Sequence, residues 1–260
     1  MNQFASVRAC SGRYIQRSIV LAAFGLAVGQ AAYAADNDRL KIGAGAAATP
    51  RFQGSDKYRV QPVPLIDFKK GRFFASTGDG IGLNIYQTPR FTFGAGVDWM
   101  TGYRSKDVPD GIGKLSDALG GKLFVSTRLA DTVLTLSVTQ AMTKSERGLL
   151  ANARLSYPYS VTERFKVIPS VSVNWVNAKY MDSYFGVSAE QSAASGLGQY
   201  SPSAGFKDAS LRLAASYDLN RKWSVTGGVG VSRLFGDAAD SPLVQRKTQV
   251  QSMIGVVYTF

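Results

Sequence analysis

Residues 91–99 read FTFGAGVDW. Phe91, Phe93, Ala95, Val97 and Trp99 fall on one parity, and Thr92, Gly94, Gly96 and Asp98 on the other. Successive side chains of a strand point to opposite faces, so the stretch presents one apolar face and one small or polar face. The alternation recurs outward from it. Leu134, Leu136 and Val138 carry it, as do Val167, Val171, Val173 and Trp175, Leu211, Leu213 and Tyr217, and Val225, Val229 and Val231. A soluble sandwich alternates too, but its polar face meets bulk water and is rich in Lys and Glu. Here the second face is Ser, Thr, Gly and Asn, which suits a confined, hydrated interior.

The pattern predicts about twelve strands, centred near Ile42, Pro62, Phe74, Leu83, Ala95, Val125, Leu136, Ala153, Val171, Leu213, Val229 and Val256. Connections after the even-numbered strands are tight: KKG at 69–71, QTPR at 87–90, LAD at 129–131, VTER at 161–164 and LNRK at 219–222. Several others are long, at 101–118, 181–208 and 236–247. Tight turns at one end and long loops at the other are the asymmetry of an all-β transmembrane barrel, antiparallel and up-and-down. Tyr157, Trp223, Tyr217, Phe91, Tyr258 and Phe260 fall at the tight-turn ends of their segments, and Trp99, Trp175 and Tyr180 toward the long loops. These are the expected interfacial girdles. Because a sheet edge in lipid leaves amides unsatisfied, the strand from Leu40 to about Ala48 should pair with the last and close the ring.

The chain ends SMIGVVYTF, residues 252–260, with Ile254, Val256, Tyr258 and Phe260 on the lipid-facing parity. Tyr258 and Phe260 are candidates for a carboxy-terminal aromatic assembly signal of outer-membrane barrels. At the other terminus, Arg8, Arg13 and Arg17 precede IVLAAFGLAVG at 19–29 and Ala32-Tyr33-Ala34. That is a secretory signal peptide over 1–34, leaving a barrel over 35–260. The run is shorter than the roughly 20 residues a helical span needs, and no later run reaches it. Cys10, the single cysteine, leaves with the signal, so no disulfide is expected. Removing the three signal arginines from 30 basic residues leaves 27 against 18 acids, a formal +9. For an exported chain, anionic lipid or an acidic wall polymer is a better partner for that charge than nucleic acid.

The sequence contains no histidine. That removes the barrel phospholipases, acyltransferases and proteases that need one to move a proton, and leaves the serines without a base. Zinc, normally built with Cys or His, is not expected, nor is a cofactor. Asp237 and Asp240 could hold Ca²⁺ or act as acid and base, or simply fix a turn with Pro242. Asp98, Arg128, Arg154 and Arg212 project inward by parity. They form either a network that props a narrow barrel or a constriction that selects anions.

Three segments carry a family resemblance: P-x-F-x-G-S-D ending at Gly54, Ser55 and Asp56 and followed by P-x-P; S-G-L-x-x-Y with Ser195, Gly196, Leu197 and Tyr200; and G-D-A-A-D-S-P from Gly236 through Asp237, Asp240 and Ser241 to Pro242. Together they resemble the family of MltA-interacting protein and OmpV from about residue 39 to the terminus. The resemblance implies a non-enzymatic outer-membrane barrel that scaffolds murein synthesis by binding a periplasmic lytic transglycosylase and a bifunctional murein synthase. It sits awkwardly with the motif loops, which belong to the long-loop end. Contact with periplasmic enzymes would then use the tight turns, where Lys69, Lys70, Arg90, Arg164, Arg221 and Lys222 form a basic rim, unless these are ordinary solvated turn charges. The alternative function is a narrow channel or solute-binding barrel with an anion-preferring lumen.

Overall fold

The computed structural model describes residues 38–260, so the signal peptide and its cleavage site lie outside the described residues. The strands are β1 (Arg39–Pro50), β2 (Tyr58–Lys70), β3 (Phe73–Ser76), β4 (Gly80–Gln87), β5 (Phe91–Met100), β6 (Ala118–Leu129), β7 (Thr132–Ala141), β8 (Leu149–Ser156), β9 (Tyr159–Ser160), β10 (Phe165–Val176), β11 (Gly205–Asp218), β12 (Trp223–Leu234) and β13 (Thr248–Thr259). All twelve expected centres fall inside strands. β8 and β9 are one stave interrupted at Pro158, which has no N–H to give a ladder; both halves pair with β10. Neighbouring staves are antiparallel, and β1 pairs with β13 from Lys41↔Thr259 to Ala48↔Ser252. The ring is a closed twelve-stave barrel.

Parity holds around the wall. Ile254 is 63% exposed and Leu211 65%, both on the outer face, whereas their neighbours Met253 and Ser210 are buried inside. Within the lumen, Ala47, Val63, Leu65 and Met253 pack an apolar wedge against the inner face of β13, β1 and β2. The opposite wall is polar, with Ser126 hydrogen-bonded to Thr135 and Ser172 to Ser210.

The β3–β4 hairpin is short, and β2 pairs with β3 only from Asp67 to Lys70. Above it, Ile66 exchanges bonds with Thr77, whose hydroxyl also donates to the Pro64 carbonyl at 2.9 Å. Residues of this parity therefore turn their backbone groups toward the low hairpin. Pro62 and Pro64 share it and have no N–H to leave unpaired, which explains the P-x-P on physical grounds.

Three helices lie in the long loops: α1 (Ala178–Phe185), α2 (Ala189–Ser195) and α3 (Gly236–Asp240). Asn177 caps α1 by accepting the Tyr180 N–H, and Ser188 and Gln191 form a reciprocal box at the start of α2.

Candidate functional site

The long loops fold over the mouth of the barrel and pack one core. Phe52, Tyr103, Ile112, Tyr184, Phe185 and Leu243 come from four different loops and are all buried in it. Tyr180 stacks on Tyr184 at 4.8 Å between centroids, and Tyr103 meets the same ring edge-on at 6.1 Å. Tyr180 is thus a correction to the expected girdle: the chain turns helical at Ala178, and the ring is buried in the cap, away from lipid. Trp99 and Trp175 do stand on the outer face.

Arg147 sits fully buried in this cap. Its guanidinium donates to the carbonyls of Thr101 (2.9 Å) and Ser116 (3.1 Å) and lies 4.5 Å over the Tyr184 ring. One side chain thereby joins three loops. Burial pushes the Tyr184 and Tyr103 phenols above their ordinary range, with Arg147 opposing the shift in both.

Each resemblance motif serves the cap. Gly54 adopts a left-handed φ of 98° against Val244, where a Cβ would fall 2.6 Å from a methyl carbon, and its carbonyl accepts the Gln245 and Arg246 amides. Ser55 is buried; its hydroxyl takes the Lys57 N–H and its carbonyl accepts Gln249 Nε2 at 2.8 Å. The Asp56 amide donates to Gln245. Gly196 ends α2 in the left-handed region, Ser195 donates to the Gln191 carbonyl, and Leu197 packs on the core. Tyr200 donates to the Asp237 carbonyl at 2.8 Å. Gly236 is left-handed at the first position of α3, and Ser241, before Pro242, donates to the Phe185 carbonyl at 2.6 Å. Asp237 accepts the Ser203 amide while Asp240 pairs with Lys247, so the two carboxylates are engaged separately. Among the described residues, no cluster of three His, Cys, Asp or Glu side chains could hold a metal.

Below the cap lies the charged lumen. Lys122 bonds Asp98 at 3.3 Å and approaches Asp79 at 3.8 Å; Arg154 reaches Asp79 at 3.5 Å. Lys207 pairs with Asp208, which also accepts from Asn174 at 2.8 Å. Arg212 lines the same space. Arg128 is a second correction: it shares the inward parity but stands exposed at the tight-turn end of β6, at the rim rather than in a constriction. Sequence parity missed Lys207 because a register shift at Asn174/Trp175 pairs these residues with Asp208 and Phe206, making Lys207 the extra residue of a bulge. Lys122 was legible by parity with Phe124 and Ser126. Asp79, in a turn, was not.

At the seam, the Phe260 amide donates to the Leu40 carbonyl at 3.1 Å, and its ring packs edge-on against Tyr258, which in turn meets Trp223.

A closed ring, an apolar outer face and long loops packed over one mouth define an outer-membrane β-barrel. The chain belongs to the family of MltA-interacting protein MipA, whose model matches residues 42–260. It is 26% identical over 228 residues to the MltA-interacting protein of Escherichia coli (strain K12), covering 85% of this chain and 90% of that one. It is 23% identical over 262 residues to a 24 kDa outer membrane protein of Pasteurella multocida, covering 94% and 99%. Among solved structures, an outer membrane channel from Pseudomonas putida F1 superposes with a TM-score of 0.45 at 11% identity, covering 88% of this chain and 98% of that one.

Proposed function

We propose that the protein is a non-enzymatic scaffold, a barrel that holds a periplasmic lytic transglycosylase and a bifunctional murein synthase together at the outer membrane. The observation that carries the reading is the closure of the long-loop end: all three motifs are spent on the cap. What remains for a periplasmic partner is the tight-turn rim, since tight turns of bacterial barrels face the periplasm. There Lys69, Lys70, Arg72, Arg90, Arg128, Arg164, Arg221 and Lys222 outnumber the acids of the same rim, Asp38, Asp131, Glu163 and Asp218. A rim of that sign steers and orients an acidic partner surface. The name of the Escherichia coli relative, which interacts with MltA, supports the reading. The competing reading, a narrow anion-preferring channel, draws on the polar lumen but requires a path through the packed cap.

The test is capture of a purified lytic transglycosylase on the immobilised barrel. Saturable binding that weakens with added salt and with K69E/K70E/R221E/K222E is expected. No capture, or capture indifferent to those reversals, would overturn the proposal.

A further inference from the structure

Charge counting in the middle of the lumen leaves one cation over. Apart from Arg147, which the cap carbonyls hold, Lys122, Arg154, Lys207 and Arg212 face Asp79, Asp98 and Asp208. Each carboxylate is held: Asp79 by Arg154 and Lys122, Asp98 by Lys122, Asp208 by Lys207 and Asn174. Among the described residues, no hydrogen bond or ion pair reaches the Arg212 guanidinium. The charges that act on it are Arg154, of its own sign, and Asp208, already engaged.

This guanidinium is not left over for want of space to turn away. Arg212 stands directly across from Gly230 on β12 and from Ser170 on β10. A Cβ at Gly230 would fall 3.0 Å from the Arg212 Cγ, so the bare glycine seats the stem of the arginine against the wall. The head lines two adjoining cavities of about 170 Å³ and about 290 Å³. Arg154, Ser170, Ser172, Asn152 and Asn174 share the first of them. Two guanidiniums, hydroxyls and carboxamides around a polar space are the groups that recognise an oxyanion on a hydroxylated body.

We infer that the lumen beneath the cap is a binding site for a small carboxylate- or phosphate-bearing polyol, with Arg212 as the fork that takes the oxyanion and Arg154 as its second cation. The site is independent of the partner reading, because it lies inside the barrel and uses none of the rim. A residue held for a ligand differs from one that props the wall. Arg212 has no partner to strand, so its removal relieves an uncompensated charge and leaves the fold at least as stable.

The experiment is calorimetric titration of the purified full-length barrel in detergent with glucuronate, inorganic phosphate and glucose as probes, alongside thermal unfolding. Glucuronate should bind, phosphate should compete with it, and glucose should not bind. Arg212→Gln should weaken glucuronate about tenfold to a hundredfold, the loss of one or two charge-assisted hydrogen bonds, with the unfolding temperature unchanged or raised. Arg212→Lys, which keeps the charge but not the fork, and Gly230→Ala, which displaces the stem, should each weaken it by less. Glucuronate and phosphate binding no better than glucose would overturn the proposal. So would wild-type affinity in Arg212→Gln, or a fall in its unfolding temperature, which would make Arg212 a prop.

Discussion

Replacing Arg147 by methionine removes the clasp of the cap while keeping its apolar stem. The half-buried carbonyls of Thr101 and Ser116 then each lose a charge-assisted hydrogen bond, worth about 1.5–3 kcal/mol. The contact 4.5 Å over Tyr184 adds about 2 kcal/mol at a desolvated site. Against this, a buried guanidinium no longer has to be held out of water, an offset of several kcal/mol. The cap should therefore lose about 2–4 kcal/mol, raising its open population about 30-fold to 1000-fold. The strands, which make none of these contacts, should not change. Amide hydrogen exchange on the barrel in micelles resolves the two: residues 101–117 should exchange faster by that factor while β10 to β13 keep their protection. Arg147→Lys should fall between. Unchanged protection of 101–117 in Arg147→Met would refute the clasp.

Three further outcomes are expected. The Tyr184 and Tyr103 phenols are raised from the ordinary 10.0, first by burial. Their contribution is whole below that value and is lost as pH rises above it, so cap protection, followed by phenolate absorbance, should fail above about pH 10 while the strands persist. Pro62→Ala adds an N–H to the unpaired edge of β2 and should lower barrel stability by about 1–3 kcal/mol, read from denaturant unfolding in lipid vesicles; an unchanged midpoint would argue that the edge is paired. Deleting Phe260 removes the bond to Leu40 and the ring on Tyr258, and should lower the heat-modifiable folded fraction in outer membranes; normal assembly would count against the terminal aromatic as a signal.

What sequence could and could not show follows from the range of each constraint. The outward set of β5 and β13 was legible because a wall between lipid and water imposes period two on every residue. Closure between Leu40 and the terminus followed from the cost of an unpaired edge in lipid. The cap obeys no such period. Arg147 is a cation in a polar loop, and only the meeting of three loops makes it buried. Asp79 reaches Lys122 and Arg154 from a turn, and Lys207 turns inward only through the bulge beside Trp175. Tyr180 and Arg128 were misplaced because the wall was carried too far: Tyr180 lies past the point where helix replaces strand, and Arg128 shares the inward parity but lies at the rim.

The seal at the long-loop mouth is tested most directly by conductance of the purified barrel in a planar bilayer. Wild-type protein should give no steady steps in concentrated salt, and Arg147→Met should admit transient openings as its cap loosens. Robust, long-lived steps from the wild-type barrel would contradict a long-loop mouth closed by its own loops.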